Sequence, residues 1–230
     1  MLLLAAAYAI DPLGVALARA LPSALVDVFR ATTDIGRAYW ILYPCAVAVF
    51  YIAFMLRYGE WDRRRTAQFG DAAAALAYVF AAVAASGIAV NIIKLVIGRA
   101  RPRHFDTLGH LAFDPFAGAS AFASFPSGHA ATAFSAGLAL ALLIPRRRMV
   151  FIALACWVAA SRVAISVHYL TDVAVGGAIG ALFAFYFRGW FSERGMLWRQ
   201  VNGRYLRRRL FRPGRIQLWG VGHNGQHMNG

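Results

Sequence analysis

Ser161-Arg-Val-Ala-Ile-Ser-Val-His-Tyr-Leu-Thr-Asp172 sits where two strongly apolar runs meet, Met149–Ser166 and Leu170–Phe187. The runs read as two membrane spans, and the junction carries Arg162, His168 and Asp172, the group types that hydrocarbon tolerates least. Ionisable residues at the edge of a span mark a functional site by default. His168 and Asp172 are four apart, so on a helix they share one face, where the carboxylate can fix the tautomer and orientation of the imidazole. That pairing suits an activated histidine nucleophile or base. Arg162 adds a planar cation fitted to a phosphate or carboxylate. A helix-end ion pair between Arg162 and Asp172, beside an interfacial histidine, would use the same residues. The stretch alone does not choose between the two.

Composition widens the membrane reading to the whole chain. Of 230 residues, 60% are hydrophobic, and the mean hydropathy is +0.54; soluble domains lie nearer half apolar. The formal charge is +14, yet Lys94 is the single lysine and lies inside apolar sequence, so it is not an incidental cation. Cys45 and Cys156 both fall in apolar runs and read as small buried hydrophobes, not as a disulfide or metal pair. No cysteine–histidine cluster has zinc spacing. Net basicity raises nucleic acid as a partner, but the arginines gather at span ends. That placement fits membrane topology and anionic lipid better.

Taken in order, Met1–Ile10 is apolar but short, without the leading basic segment of a signal peptide. Leu13–Phe29 carries Arg19, Pro22 and Asp27, which predicts an amphipathic interfacial helix. Residues 1–38 therefore form an N-terminal partial span or interfacial helix, the source of any sixth span. Five clear spans follow: Tyr39–Leu56, Asp71–Ile97, about His129–Ile144, Met149–Ser166 and Leu170–Phe187. Residues 57–65 and Pro145–Arg148 are arginine-rich and cytoplasmic by the positive-inside rule. Residues 39–188 make an all-α polytopic helix bundle. Residues 189–230 are a basic cytoplasmic tail, disordered at its end. From Arg188 the chain has nine arginines interleaved with aromatics, which predicts a surface helix on anionic lipid in preference to a nucleic-acid patch.

Two more polar clusters fall on the extracytoplasmic face with the first. Lys94 and Arg101 are seven residues apart, nearly two helical turns, so they point the same way about 10 Å apart. Pro102 predicts that the helix ends near Arg101 and lets it swing over a site. Ser124-Phe-Pro-Ser-Gly-His129 reads as a helix start, where the N–H groups of Ser127 and Gly128 form an anion site beside His129. Arg99 and Arg103 read as ordinary anchors. Cations, N–H groups and no acidic metal cage describe a phosphate pocket that works without a metal or other cofactor.

Lys94-x6-Arg101-Pro102, Pro126-Ser-Gly-His129 and Ser161-Arg162-x5-His168-x3-Asp172 resemble the three signature motifs of the PAP2 (type 2 phosphatidic acid phosphatase) superfamily, with every signature position occupied. The resemblance implies a six-helix membrane bundle with its site at the extracytoplasmic face. It implies that His168 attacks phosphorus and becomes a phosphohistidine, that Asp172 orients and supports it, and that His129 protonates the leaving group and then helps activate water. Lys94, Arg101, Arg162 and the N–H groups near Ser127 and Gly128 would hold the non-bridging oxygens. The expected activity is hydrolysis of a lipid phosphate or diphosphate in a bacterial inner membrane, with the site facing the periplasm. Phosphatidylglycerophosphate, phosphatidic acid, undecaprenyl diphosphate and the 1-phosphate of lipid A are the substrates the family allows. Phosphotransfer to an acceptor lipid, or non-catalytic lipid binding, are the competing readings.

Overall fold

Alanine, glycine and serine line the faces on which the long apolar helices meet in the computed structural model, which describes residues 2–201 and 203–207. In chain order the helices are α1 (Leu2–Arg19), α2 (Ser23–Thr32), α3 (Tyr39–Tyr58), α4 (Arg63–Ile97), a single turn α5 (Phe105–Leu108), α6 (Gly128–Leu143), α7 (Arg148–Ala164) and α8 (Leu170–Glu193). A short antiparallel hairpin, β1 (Trp198–Val201) and β2 (Arg204–Arg207), follows with Gln200 opposite Tyr205. Among the described residues, three helical segments are long and apolar enough to cross a membrane: Ser23–Tyr58, Arg63–Ile97 and Leu170–Glu193. Gly128–Leu143 is apolar but shorter. Phe50, Phe54, Ile88, Ile92, Leu182 and Phe185 stand on the outside of the bundle, where a lipid-facing surface requires them.

The contacts between helices are close because side chains are missing there. A Cβ on Gly176 of α8 would collide with the Ser127 carbonyl, and one on Gly180 with the Ala131 carbonyl and, at 2.8 Å, the Ser135 nitrogen. Small residues one turn apart let α6 and α8 touch backbone to backbone, the usual device where lipid supplies no hydrophobic drive between helices. On the other side of α6, a Cβ on Gly137 would lie 2.9 Å from the Phe151 carbonyl of α7. Between α4 and α6 the serines satisfy one another: Ser86 Oγ donates to the Val83 carbonyl and also lies 3.2 Å from Ser135 Oγ.

Both ends of α4 are set by local chemistry. Asp62 Oδ1 accepts the Arg65 N–H at 2.7 Å, an N-cap. Gly98, at φ +58°, terminates the helix in the left-handed region, and a Cβ there would run into the Asp114 carbonyl. With its 35 residues α4 is about 52 Å long, against about 30 Å of hydrocarbon, so it is longer than a straight crossing needs. The C-termini of α4 and α7 and the N-termini of α6 and α8 share one end of the bundle. The arginine-rich segments 57–65 and 145–148 lie at the other.

Three expectations are corrected. α1 runs unbroken through Asp11-Pro12 to Arg19, so Leu13–Phe29 is not one interfacial helix. The break comes at Leu21-Pro22, where proline holds the preceding residue out of the helical region. From Tyr8 to Arg19, α1 rests on the loop-bearing end: Tyr8 packs on His110, Gly14 on Leu170, and Arg19 pairs with Asp106 at 2.6 Å. Secondly, α8 continues past Arg188 to Glu193, and the chain then turns back through Gly195 into the hairpin, where a surface helix was expected. Trp198 and Leu197 are buried, Trp198 meets the Tyr78 ring edge-on at 4.9 Å, and the Arg188 guanidinium lies 4.1 Å over Tyr205. Trp198 and Tyr205 thus pack the hairpin onto α4 and α8, while Phe211 lies outside the described residues. Thirdly, the chain is mostly, not wholly, α, because the two strands follow the helix bundle. The disordered end expected of the tail lies outside the described residues.

Candidate active site

Asp172 is the third residue of α8, and its carboxylate is fully buried. Oδ1 accepts from Arg99 Nη1 at 2.7 Å, while Oδ2 accepts from Ser124 Oγ at 2.5 Å and from the Tyr169 N–H at 2.9 Å. Donors on both oxygens fix its orientation. His168 precedes α8, in the loop after α7, and is 3% exposed. Its Nδ1 lies 2.6 Å from the Ser124 carbonyl oxygen and 3.7 Å from Asp172 Oδ2. A carbonyl can only accept, so Nδ1 carries the proton and Nε2 keeps its lone pair. Burial pushes the imidazole down to about 4, against the upward pull of the hydrogen bonding and charge of Asp172. The ring is therefore neutral at neutral pH.

Cations surround this pair. The Lys94 ammonium, near the end of α4, lies 3.9 Å from the place a Gly128 Cβ would take, so the glycine leaves room at the start of α6. Arg162, in the last turn of α7, donates Nη1 to Thr33 Oγ1 at 2.7 Å and leaves a buried Nε without a partner. Lys94 and Arg162 both act electrostatically on His168. Arg101 donates Nε to the Ser120 carbonyl at 2.8 Å and interacts with Asp172 through its charge. His129, one residue into α6, has a buried Nε2 without a partner. Among the described residues no three His, Cys, Asp or Glu side chains gather as metal ligands would.

The three motifs thus come together at one end of the bundle, with three local differences from the expectation. Lys94 and Arg101 do not share a helix, because α4 stops at Ile97 and Arg101 arrives on an extended segment after Gly98. Ser127 does not offer its N–H to an anion: it donates to the Asp172 carbonyl at 2.9 Å, while its Oγ caps the Ala130 N–H at 3.4 Å. The Gly128 N–H makes no hydrogen bond among the described residues. Nor does Asp172 hold His168 directly as its nearest acceptor. The Ser124 carbonyl does, because His168 lies before α8 and not on the same helical face as Asp172.

The sequence reading missed two charged residues. Arg99, read as an anchor, is 2% exposed, and Asp11 is fully buried and paired to it at 2.6 Å. A lone carboxylate in the apolar run that opens the chain was the available signal, since such a group needs a partner. Thr33, which holds Arg162, and Ser124 gave none.

Comparison with known proteins agrees with this geometry. The model of the PAP2 superfamily matches residues 74–196. A lipid A 1-phosphatase of Rhizobium johnstonii is 46% identical over 137 residues, covering 59% of this chain and 56% of its own length. A lipid A 1-phosphatase of Rhizobium etli is 35% identical over 195 residues, covering 83% of this chain and 82% of its own. The match thus spans little more than half of the first relative and most of the second. Among solved structures, LpxE of Aquifex aeolicus aligns with a TM-score of 0.53 at 19% identity, over 77% of this chain and 93% of that one. A transmembrane PAP2 type phosphatidylglycerolphosphate phosphatase from Bacillus subtilis aligns with a TM-score of 0.55 at 22% identity, over 82% and 86%. At those identities the likeness concerns the fold. The chain belongs to the PAP2 superfamily.

Proposed function

We propose that this protein removes the 1-phosphate of lipid A by hydrolysis at the extracytoplasmic face of the bacterial inner membrane, through a phosphohistidine on His168. The observation that carries the chemistry is the His168 tautomer: Nδ1–H is committed to the Ser124 carbonyl, which turns the basic Nε2 into the only nucleophilic edge of the ring. The relatives named above supply the substrate class. The positive-inside placement of segments 57–65 and 145–148 supports the outward orientation of the site and a cytoplasmic C-terminus.

In the first step Nε2 attacks phosphorus in line. The P–N bond forms as the bond from phosphorus to the sugar oxygen breaks. His129 gives that oxygen its proton, while Lys94, Arg101, the free Nε of Arg162 and the Gly128 N–H meet the non-bridging oxygens. His168 is then a cation with Asp172 beside it. In the second step His129, now neutral, takes a proton from water as the water attacks phosphorus, and inorganic phosphate leaves as the P–N bond breaks. Three side-chain cations supply the charge neutralisation that a metal gives elsewhere. An apolar groove of about 430 Å³, lined by Phe134, Ala159, Val173 and Gly177, opens below the site and would take an acyl chain while the phosphate reacts.

Phosphate release from lipid A, phosphatidylglycerophosphate, phosphatidic acid and undecaprenyl diphosphate tests this reading. Purified protein with EDTA is compared with His168→Ala, with and without an acceptor lipid. EDTA-insensitive release, fastest from lipid A and absent in the variant, is expected. Release that persists in His168→Ala would overturn the mechanism. Preference for another lipid would overturn the substrate, and phosphate found on the acceptor would make the protein a transferase.

A further inference from the structure

We infer that Asp11 and Arg99 are positioning residues for the reaction, which hold the Asp172 carboxylate in place and set the net charge that it presents to His168. This rests on the proposed role of His168 as nucleophile. The first ground is saturation. Arg99 Nε donates to the His110 carbonyl at 3.1 Å. Its Nη1 donates to Asp172 at 2.7 Å and Thr171 Oγ1 at 2.9 Å, and its Nη2 to Asp11 at 2.6 Å and the His110 carbonyl at 2.7 Å. A guanidinium has five N–H donors, and all five are used. Arg99 therefore has nothing left for a phosphate, unlike Arg162 with its unpaired Nε. Its planar fork joins two carboxylates instead, with the Tyr169 ring 4.2 Å beneath it.

The second ground is charge balance. Asp11 also accepts from the Thr171 N–H at 3.0 Å and from Thr171 Oγ1 at 2.6 Å, so a carboxylate of α1 caps the first turn of α8 and is fixed as firmly as Asp172. Arg99 opposed to Asp172 alone would make a neutral pair. With Asp11 sharing the guanidinium, the buried trio carries one net negative charge, and its Asp172 end is 3.7 Å from His168 Nδ1. That charge supports the ring when phosphorylation makes it cationic. Facing His168 from the other elements are Lys94 of α4, His129 of α6, Arg162 of α7 and, beside Asp172, Arg101. Every cation among them acts in the opposite direction. Asp34 also acts on Arg162, but the trio is the negative group set beside His168 itself, and it is assembled only when α1 is seated.

The test reads kcat, KM and the acid limb of the pH–rate profile on lipid A, for the full chain in detergent micelles. The titration of the substrate itself is common to all variants and cancels in the comparison. Asp11→Asn removes a negative charge. It is expected to move the acid limb to lower pH by on the order of one unit and to cut kcat about 10-fold, with KM little changed. Arg99→Gln removes the positive charge and is expected to move the limb upward. The double variant restores the net charge and is expected to bring the limb back to the wild-type position. Arg99→Lys keeps the charge but loses the fork. It should hold the limb in place with kcat about 10-fold down, and it is the variant to read if Arg99→Gln does not fold. Limbs at the wild-type pH in both single variants, or shifts of the same sign, would overturn the inference. An active His168→Ala would instead overturn the phosphohistidine reading, which phosphate release scores separately.

Discussion

Ser124 serves the site twice, its carbonyl accepting from His168 and its hydroxyl donating to Asp172. Only the second role belongs to the side chain. Ser124→Ala should therefore leave the histidine tautomer intact and remove one charge-assisted hydrogen bond, a loss of about 10- to 100-fold in kcat with KM nearly unchanged in steady-state kinetics. Burial lowers His168 to about 4, and a lowered base is unprotonated, and so active, above that value. With a substrate whose phosphate charge is constant over the range, the rate should hold from neutral pH down to about 5 and fall only below it. Most of this site was legible in the sequence, since Lys94, His129, Arg162, His168 and Asp172 are ionisable groups set in apolar sequence, where each needs a reason. The rest was hidden for two reasons. A backbone carbonyl such as that of Ser124 has no sequence signature, and a span-end arginine such as Arg99 looks like an anchor until its partner Asp11, far away in the chain, is brought to it.

The contact of α6 with α8 decides whether the helix starts that carry the site stay in register. A Cβ at Gly180 would meet backbone atoms that cannot yield, so Gly180→Ala should destabilise the protein by about 1–3 kcal/mol, read as a fall in detergent Tm, and lower activity with it. Gly70, exposed in α4 with nothing near its would-be Cβ, is the control of opposite sign. Gly70→Ala should raise stability by up to about 1 kcal/mol through helix propensity and leave kinetics unchanged. Helix positions were readable from the apolar runs, to within a few residues for α3, α6, α7 and the outer end of α8. The span end at Ile97 is legible, but the further helical reach to Arg101 that Pro102 suggests is cut short by Gly98, which closes α4 in the left-handed region. The hairpin was unreadable for a different reason: arginines alternating with aromatics suit a lipid surface as well as a sheet packed on Tyr78.

At the scale of the whole molecule, the helix ends divide into a site-bearing end, closed over by α1 and the 99–124 segment, and an arginine-rich end, closed by the hairpin. α6, at about 24 Å, is shorter than the hydrocarbon, and under the proposed orientation that would set the site within reach of a headgroup whose chains stay in lipid. The proposed orientation is checked with single cysteines in a chain carrying Cys45→Ala and Cys156→Ala. A membrane-impermeant thiol reagent applied to cells with a permeable outer membrane should label Ser120→Cys but not Arg146→Cys. The reverse pattern would place the site in the cytoplasm. The most direct measurement of all concerns the covalent intermediate. Protein mixed with lipid A carrying a labelled 1-phosphate is quenched in alkali within one turnover, and its peptides are mapped by mass spectrometry. An alkali-stable phosphoryl group on His168, absent from His168→Ala and lost as inorganic phosphate appears, is the expected result. Turnover with no phosphoryl group on His168, or with the group on another residue, would contradict the mechanism.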